Sequence, residues 1–316
     1  MNDTKSVFTL LFPGQGSQAV GMGKDLAENY PIARQTFEEA DEALGYKLSQ
    51  LCFGGPEDQL RLTEITQPAI LTVSVAALRV LETRIPKPCY VAGHSLGEYS
   101  AHVASGTITF ADAVRTVRNR GKYMQEAVPV GVGAMAAILG MELEKVNHIC
   151  QEAAQGEVCE PANINSPEQI VISGNVAAVE RAAKLADERG AKRAKLLPVS
   201  APFHCSLMKP AQERLDADLT ALPWQKPVYP VACNVDADFV LDQLRARDTL
   251  VRQVTGSVKW WQCMQLLISK GVQTFIEVGP GKILCGLLRQ IDRSKMCVNV
   301  GDEASLAKTL EQLAAA

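Results

Sequence analysis

The amino-acid composition is that of a globular protein with almost balanced charge. The chain has 316 residues, of which 47% are hydrophobic and 21% are charged. Its 32 basic and 35 acidic side chains leave a net charge of −3, which argues against broad electrostatic binding of nucleic acid. At roughly 100–200 residues per domain, this length allows one large domain or two.

The distribution of cysteines and the length of the apolar runs indicate the cellular compartment of the protein. The nine cysteines are spread over the chain, and none form a C-x-x-C pair. Such a scattered, odd-numbered set is typical of reduced thiols in a cytosol-like compartment. No stretch approaches the roughly 18 consecutive apolar residues of a membrane span. We therefore expect a cytoplasmic protein with no membrane segment and no metal site.

The first 128 residues alternate between short apolar runs and helical patterns. Val7–Phe12 is an apolar run ended by a Pro-Gly pair, and Cys89–Ala92 leads directly into Gly93. Both runs are typical of buried strands. Helical patterns cover Gly23–Leu44, Ile70–Leu81 after Pro68, and the stretches that begin at Leu96 and Phe110. This alternation predicts a parallel sheet covered by helices.

Residues 129–198 follow a different order. The predicted elements run β-α-β-β-α-β, which is the ferredoxin-like unit, over Ala134–Leu139, Glu142–Ala154, Val158–Ile164, Gln169–Ser173, Val176–Glu188 and Arg193–Leu197. Pro129 and Pro198 mark the edges of this stretch. We therefore interpret residues 129–198 as a small ferredoxin-like domain, inserted into a larger domain formed by residues 1–128 and 199–316.

The strand–helix alternation returns after the insertion. The predicted elements are strand Val228–Asn234, helix Trp260–Ser269, strand Thr274–Val278 and helix Ile283–Arg289. The predicted fold class is therefore α/β, with a parallel sheet in the large domain.

The segment Gly93-His94-Ser95-Leu96-Gly97 matches G-x-S-x-G, the pattern of a nucleophile elbow. In such an elbow the serine lies on a sharp strand-to-helix turn, and the N–H of the next residue, here Leu96, can stabilise an oxyanion. An apolar strand precedes Ser95 and a small-residue helix follows it, as this interpretation requires. The alternative is a serine that caps a helix after a tight turn. The context favours Ser95 as the nucleophile.

A nucleophilic serine needs a neighbouring base, and the chain has only four histidines. His94 adjoins Ser95, so its side chain points elsewhere, while His102 lies on the following helix and His148 in the insertion. His204 remains, where the chain re-enters the large domain, although a lone histidine can also be a structural residue. The acids between Ser95 and His204 lie mostly on helices or in the insertion. We therefore expect a Ser–His dyad, with the imidazole oriented by a backbone carbonyl instead of a triad acid.

The helix that begins at Phe110 carries an arginine on its apolar face. At about 100° per residue, Arg120 falls between Val117 and Met124. A charge in that position is costly unless it is paired. Three interpretations remain open: an ion pair with a protein carboxylate, snorkelling to the surface, or a guanidinium that grips a substrate carboxylate bidentately.

Several motifs resemble those of the malonyl-CoA:acyl carrier protein transacylases, the bacterial-type discrete acyltransferases. They span nearly the whole chain in the expected order, and they are Phe12-Pro13-Gly14-Gln15-Gly16-Ser17-Gln18, Gly93-His94-Ser95-Leu96-Gly97-Glu98, Arg118-Asn119-Arg120-Gly121 with Met124-Gln125, Asn163-x-Asn165-Ser166-Pro167, Phe203-His204, Asn234-Val235-Asp236 and Glu277-Val278-Gly279-Pro280-Gly281. The resemblance implies an α/β-hydrolase-like large domain with a parallel sheet and an inserted ferredoxin-like domain.

The same resemblance implies roles for individual residues. Ser95 would be the acylated nucleophile, His204 its base, and Arg120 the ligand of the free carboxylate of malonate. The remaining implied roles are oxyanion N–H groups from Gln15 and Leu96, a backbone carbonyl of Gln253 that orients the histidine, and a malonyl preference associated with Phe203.

The resemblance further implies a ping-pong transfer of the malonyl group from malonyl-CoA to the phosphopantetheine thiol of acyl carrier protein, in fatty-acid or polyketide synthesis. The coenzyme A thioester would be a substrate, the phosphopantetheine would arrive on the partner, and no cofactor would be bound permanently. We expect a monomer that binds neither nucleic acid nor membranes. Two rival interpretations are a serine esterase or thioesterase, which uses water as acceptor, and a non-catalytic scaffold that binds a carrier protein.

Overall fold

The computed structural model of the protein describes residues 7–199 and 201–315. The outer ends of the predicted large domain and residue 200 lie outside the described residues. Ten strands in the described part of the chain form two sheets. They are β1 Phe8–Phe12, β2 Tyr90–Gly93, β3 Gly133–Leu139, β4 Cys159–Ser166, β5 Gln169–Asn175, β6 Arg193–Leu196, β7 Val231–Cys233, β8 Asp238–Val240, β9 Thr274–Val278 and β10 Met296–Val300.

Helices cover both sheets. Among the described residues, a 3-10 turn over Ser206–Met208 directly precedes the helix that begins at Lys209. The α-helices within the described residues are α1 Lys24–Asn29, α2 Pro31–Leu44, α3 Leu48–Gly54, α4 Glu57–Leu60, α5 Thr63–Leu81, α6 Gly97–Ala104, α7 Phe110–Glu126, α8 Leu143–Ala154, α9 Val176–Glu188, α10 Lys209–Thr220, α11 Gln243–Gln253, α12 Trp260–Ser269, α13 Ile283–Ile291 and α14 Glu303–Ala314.

The larger sheet has the strand order β10-β9-β1-β2-β7-β8. Its strands are parallel except β8, which pairs antiparallel with β7. Every residue of β1 and β9 is buried, as expected for central strands of a parallel sheet with both faces covered. Phe12 at the end of β1 pairs with Gly93 at the end of β2. The loops after these two strands therefore meet at one edge of the sheet.

The smaller sheet is antiparallel, with the strand order β4-β5-β3-β6. Its elements follow one another in the predicted order. Ile138 and Ile170 face α8 and α9 in a separate apolar core, whereas Met135 and Val171, on the opposite face, join the main core. This is the alternation expected of strands covered on both faces. The smaller sheet therefore forms one wall of the space beside the larger one.

Helix α5 lies at the centre of the main core and corrects two expectations. It begins at Thr63 instead of Ile70, because Pro68 removes only one main-chain hydrogen bond from a helix whose side chains are almost all buried. Its length and composition are also those of a membrane span, which contradicts the expectation that no stretch approaches one. In the structure the helix packs against α2, α6 and α7, and it is a core helix.

The predicted helix over Gly23–Leu44 is wrong in one respect, because the stretch contains two helices. Helix α1 ends at Asn29 and α2 begins at Pro31, while Tyr30 between them is extended with φ −122° and ψ 114°. A residue that precedes proline is disfavoured in the helical conformation. Pro31 therefore starts a new helix.

One pair of cysteines departs from the expectation of reduced thiols. Cys285 of α13 and Cys297 of β10 form a disulfide, with 5.4 Å between their Cα atoms. The short connection between α13 and the adjacent edge strand brings the two residues together. The other seven cysteines are free, and all of them except Cys89 are buried.

Candidate active site

Ser95 lies on the turn between β2 and α6, with a left-handed φ of 52°. The glycines on either side make this turn possible. A Cβ on Gly97 would come within 2.0 Å of the Phe12 carbonyl oxygen, and one on Gly93 within 1.9 Å of the Gly97 carbonyl. The sequence therefore folds into a sharp strand-to-helix turn that presents the serine hydroxyl above the edge of the sheet.

His204 is in hydrogen-bond contact with Ser95. Its Nε2 lies 2.7 Å from the Ser95 Oγ, and its Nδ1 lies 2.9 Å from the backbone carbonyl oxygen of Gln253. Because a carbonyl can only accept, Nδ1 carries the proton and Nε2 is free to accept one from the serine. Burial, aided by the positive charge of Arg120, lowers the pKa of His204 to about 3. The imidazole is therefore a neutral base at neutral pH.

Arg120 on α7 is buried beside this pair, with 2% of its surface exposed. One guanidinium nitrogen donates to Gln67 Oε1 at 2.7 Å, and the other donates to Gln253 Oε1 at 3.0 Å and to Ser95 Oγ at 3.2 Å. Snorkelling is therefore excluded. None of the described acids forms a hydrogen bond or ion pair with Arg120, so the internal ion pair is excluded within that part of the chain.

The Arg120 guanidinium is incompletely satisfied. Its Nε is buried without a hydrogen-bond partner among the described residues, and burial lowers its pKa although Tyr99 and Glu98 act in the opposite direction. A buried charge of this kind is costly unless a counter-charge reaches it. Arg120 lines a cavity of about 980 Å³ together with Ser95 and His204. The cavity therefore offers a carboxylate a positive charge next to the serine hydroxyl.

Gln15 and Leu96, the predicted oxyanion residues, both line this cavity. Their backbone N–H groups donate to no acceptor within residues 7–199 and 201–315. The Gln15 side chain lies 3.5 Å from Thr63 Oγ1, and the Leu96 side chain is buried in the main core. Both N–H groups are available to an oxygen bound in the cavity.

Phe203 also lines the cavity, beside His204. It is 9% exposed. Gln253 is fully buried at the last position of α11 and contacts His204 through its carbonyl and Arg120 through its side chain. Six of the seven predicted residues therefore line one cavity, and Gln253 lies behind it in contact with His204 and Arg120.

Comparison with known proteins identifies the family. A family model described as an acyl transferase domain matches residues 9–311. The chain belongs to the acyl transferase family. The malonyl CoA-acyl carrier protein transacylase of Salmonella typhimurium, a relative, is 48% identical over 306 residues, which cover 96% of this chain and 99% of the relative. The resemblance that the motifs indicated is therefore confirmed.

Two solved structures are closely similar to this acyl transferase. An acyl carrier protein S-malonyltransferase from Vibrio cholerae has a TM-score of 0.94 and 50% identity, covering 96% of this chain and all of the other. A second structure is described as a type II PKS acyl-carrier protein in complex with its malonyl-transacylase. It has a TM-score of 0.95 and 46% identity, covering 97% of this chain and all of the other. The similarity extends over the whole fold and includes a protein solved with a carrier.

The acyl transferase site also contains residues that sequence reasoning did not assign. Gln67 accepts a hydrogen bond from Arg120, and Asn234 Oδ1 accepts one from the backbone N–H of Ser95 at 2.7 Å. Glu98 is fully buried and accepts from Asn234 and Gln253. Glu98 and Asn234 occur in the quoted motifs, but nothing local in the sequence connects them.

Metal ligation was not expected at this site. Within the part of the chain that the structure describes, no group of three or more His, Cys, Asp and Glu side chains is arranged to hold a metal ion.

Proposed function

We propose that the protein transfers a malonyl group from malonyl-CoA to the phosphopantetheine thiol of an acyl carrier protein, through a malonyl ester on Ser95. The observation that carries this proposal is Arg120, a buried and incompletely satisfied cation 3.2 Å from the Ser95 hydroxyl. An acyl group that bears its own carboxylate supplies the missing counter-charge. The names of the similar proteins, which are malonyl CoA-acyl carrier protein transacylases, support the same substrate and partner.

In the first half-reaction the Ser95 oxygen attacks the thioester carbonyl of malonyl-CoA, and His204 Nε2 takes the hydroxyl proton. The negative charge on the carbonyl oxygen is stabilised by the N–H groups of Gln15 and Leu96. When the carbon–sulfur bond breaks, the protonated His204 returns the proton to the departing coenzyme A thiolate. Malonyl-Ser95 and free coenzyme A result.

The second half-reaction is the reverse process with another thiol. The phosphopantetheine thiol gives its proton to His204 as its sulfur attacks the ester carbonyl of malonyl-Ser95. The ester bond then breaks and His204 returns the proton to the Ser95 oxygen. The hydrogen bond from His204 Nδ1 to the Gln253 carbonyl keeps the imidazole in the required tautomer throughout. Phe203 packs beside the histidine and limits the space for branched acyl groups.

We also propose the finer fold description: an α/β-hydrolase-like domain of residues 1–128 and 199–316, with a ferredoxin-like insertion of residues 129–198. The β4-β5-β3-β6 order and the separate apolar core of the smaller sheet support it. A cytoplasmic location and a monomeric state are further proposals, the first of them supported by the seven free cysteines.

The rival serine esterase or thioesterase shares the dyad but transfers the acyl group to water. The two functions are separated by incubating the protein with malonyl-CoA, with and without a phosphopantetheinylated carrier protein. The proposed transferase forms malonyl-carrier when the carrier is present and releases little free malonate without it. Rapid release of malonate at a rate that the carrier does not alter would contradict the proposal.

A further inference from the structure

The main chain on both sides of the Ser95 side chain is held by residues from other elements. Asn234, which follows β7, accepts the Ser95 N–H at 2.7 Å, and Gln253 Nε2 donates to the Ser95 carbonyl at 3.0 Å. The φ of 52° at Ser95 is unfavourable for a residue with a side chain. These two hydrogen bonds therefore fix the strained backbone that directs the hydroxyl towards His204.

Gln253 forms hydrogen bonds with all three of Ser95, His204 and Arg120. Its backbone carbonyl accepts from His204, its Oε1 accepts from Arg120, and its Nε2 donates to the Ser95 carbonyl. The orientation of its amide is determined by chemistry, because Arg120 only donates and a carbonyl only accepts. A rotation of this amide would break the contacts to Arg120 and Ser95 together.

A single carboxyl oxygen holds both amide residues. Glu98 Oε2 accepts the Asn234 backbone N–H at 2.9 Å and Gln253 Nε2 at 2.8 Å. Glu98 lies in the first turn of α6, is fully buried and does not line the cavity. It therefore cannot touch a bound substrate, and it acts only through its two partners.

We propose that Glu98 is a positioning residue for malonyl transfer, which fixes the Gln253 amide and Asn234 and thereby aligns Ser95, His204 and Arg120. This inference rests on the proposed function. Glu98 aligns Arg120, which selects the acyl group, as well as the nucleophile Ser95. Loss of the Glu98 oxygen therefore impairs malonyl transfer more than transfer of an acyl group without a carboxylate.

The two hydrogen bonds of Glu98 Oε2 require an acceptor oxygen, whereas the negative charge of Glu98 acts separately by favouring the protonated Arg120. Both groups that contact Oε2 are neutral N–H donors, so a glutamine oxygen in the same place can accept from both of them. Its nitrogen then takes the position of Oε1, which has no partner among the described residues. Burial also raises the pKa of Glu98 to about 7, so the neutral carboxyl is well populated at neutral pH.

The test compares Glu98→Gln, Glu98→Asp and Glu98→Ala with the wild-type protein. The glutamine keeps the oxygen and removes the charge, whereas the aspartate keeps the charge and withdraws the oxygen by about 1.5 Å, one carbon–carbon bond. Glu277→Ala is the matched control, because Glu277 is also fully buried, has a pKa raised to about 7 by burial, and accepts its hydrogen bonds from two backbone N–H groups of α13 and not from Gln253 or Asn234. The measured quantity is kcat/KM for malonyl-CoA and for acetyl-CoA.

We expect Glu98→Ala and Glu98→Asp to lower kcat/KM for malonyl-CoA about 100-fold, since a displacement of roughly 1 Å at a reacting group has this effect. The loss for acetyl-CoA should be about tenfold, so the malonyl-to-acetyl ratio falls about tenfold. Glu98→Gln should keep this ratio within about threefold of wild type, and Glu277→Ala should leave it unchanged while lowering the melting temperature.

The inference would be overturned if Glu98→Asp kept the wild-type malonyl-to-acetyl ratio of kcat/KM while Glu98→Gln lowered it. That result would show that the charge of Glu98 matters and not the position of its oxygen. Equal losses for both acyl groups in Glu98→Asp would overturn it as well, because Glu98 would then be structural only. These two variants decide the question if Glu98→Ala does not fold. Failure of the wild-type protein to transfer malonyl would instead overturn the proposed function, and with it this inference.

Discussion

We propose that Arg120 determines which acyl group the site accepts. Its side chain is buried, its two terminal nitrogens are held by Gln67 and Gln253, and its Nε has no partner within the described residues. An unpaired charge costs far more when buried than when exposed, so we expect the site to bind best an acyl group that neutralises this one.

The Arg120→Ala variant tests this selectivity. A buried carboxylate left without its partner costs about 3–5 kcal/mol, which corresponds to a loss of roughly 10²–10³-fold or more in kcat/KM for malonyl-CoA. Transfer of acetyl should fall about tenfold at most, because the variant loses the hydrogen bonds of Arg120 to Ser95, Gln67 and Gln253 but leaves no acyl carboxylate without a partner. Arg120→Lys is the control that keeps the charge without the planar fork, and it should recover part of the malonyl activity. Equal losses for malonyl-CoA and acetyl-CoA would show that Arg120 does not bind the carboxylate.

The sequence allowed the residues with a local signal to be predicted. Ser95 lies in a glycine-flanked pentapeptide, His204 is one of four histidines, and Arg120 interrupts an apolar helix face. The partners of these residues have no such signal. Glu98 and Gln253 are separated by 155 residues along the chain, and only the tertiary fold brings them into contact. Positioning residues of this kind are determined by tertiary structure and could not be read from one sequence.

The elbow itself depends on close packing between elements. Gly97, the first residue of α6, lies so near the end of β1 that a Cβ would come within 2.0 Å of the Phe12 carbonyl oxygen and 2.9 Å of the Pro13 carbonyl oxygen. Both are backbone atoms and cannot turn away. The helix can be accommodated at this point only without a side chain.

We expect Gly97→Ala to lower the free energy of unfolding by about 3 kcal/mol, the upper end of the roughly 1–3 kcal/mol found for overpacked interiors, because the clash is with backbone atoms. It should also reduce acylation of Ser95, because the turn would shift. Gly286→Ala is the control, since its Cβ would meet nothing within 4 Å on helix α13. Alanine is preferred to glycine within helices by about 0.5–1 kcal/mol, so this variant should be slightly more stable. Urea denaturation measures the free energy of unfolding of both variants. A Gly97→Ala variant as stable as wild type would contradict the close packing of Gly97 against the end of β1.

Elements with a clear apolar period were predicted well, and polar elements were not. Helix Trp260–Ser269 and strand Thr274–Val278 agree with the structure residue for residue. Helix α10 was missed although Ala211, Leu215 and Leu219 lie four residues apart and are buried. Helix α14 was missed despite Asp302, whose side chain caps its N-terminus. In both helices polar residues outnumber the buried ones, so the apolar period is weak and neither segment was assigned from the sequence.

The molecule as a whole should be sensitive to acid, because two of its four histidines, His102 and His204, are buried and a third, His94, is partly buried. Burial lowers the pKa of His94, His102 and His204, in the last two cases to about 3. Both ring nitrogens of His102 lack partners within the described residues, and its ring packs against Trp224 with 6.3 Å between ring centroids. The unfolded chain binds protons at these groups below pH 6.5 and the folded protein does not. Stability is therefore retained above pH 6.5 and is lost as the pH falls towards 3.

We expect a His102→Phe variant to lose less stability than wild type between pH 7 and pH 5. The pKa of His102 is about 6.5 in the unfolded chain and about 3 in the folded protein, so this residue alone lowers the free energy of unfolding by about 2 kcal/mol between pH 7 and pH 5. The phenylalanine variant should lack this part of the loss. Buried Glu98 and Glu277 have raised pKa values and act in the opposite direction, so only the difference between variant and wild type isolates His102. Urea unfolding at the two pH values gives this difference. Identical pH dependence in the two proteins would show that folding does not lower the pKa of His102.

The central claim is that Ser95 carries the malonyl group, and mass spectrometry of the intact protein tests it most directly. After brief incubation with malonyl-CoA, the wild-type protein should gain the mass of one malonyl group, and later addition of carrier protein should remove it. Ser100→Ala serves as control, since Ser100 is buried on α6, the helix that follows Ser95, with no hydrogen-bond partner for its hydroxyl among the described residues, and this variant should still form the adduct. Ser95→Ala should form none. A Ser95→Ala protein that still accumulates a malonyl adduct would contradict the account.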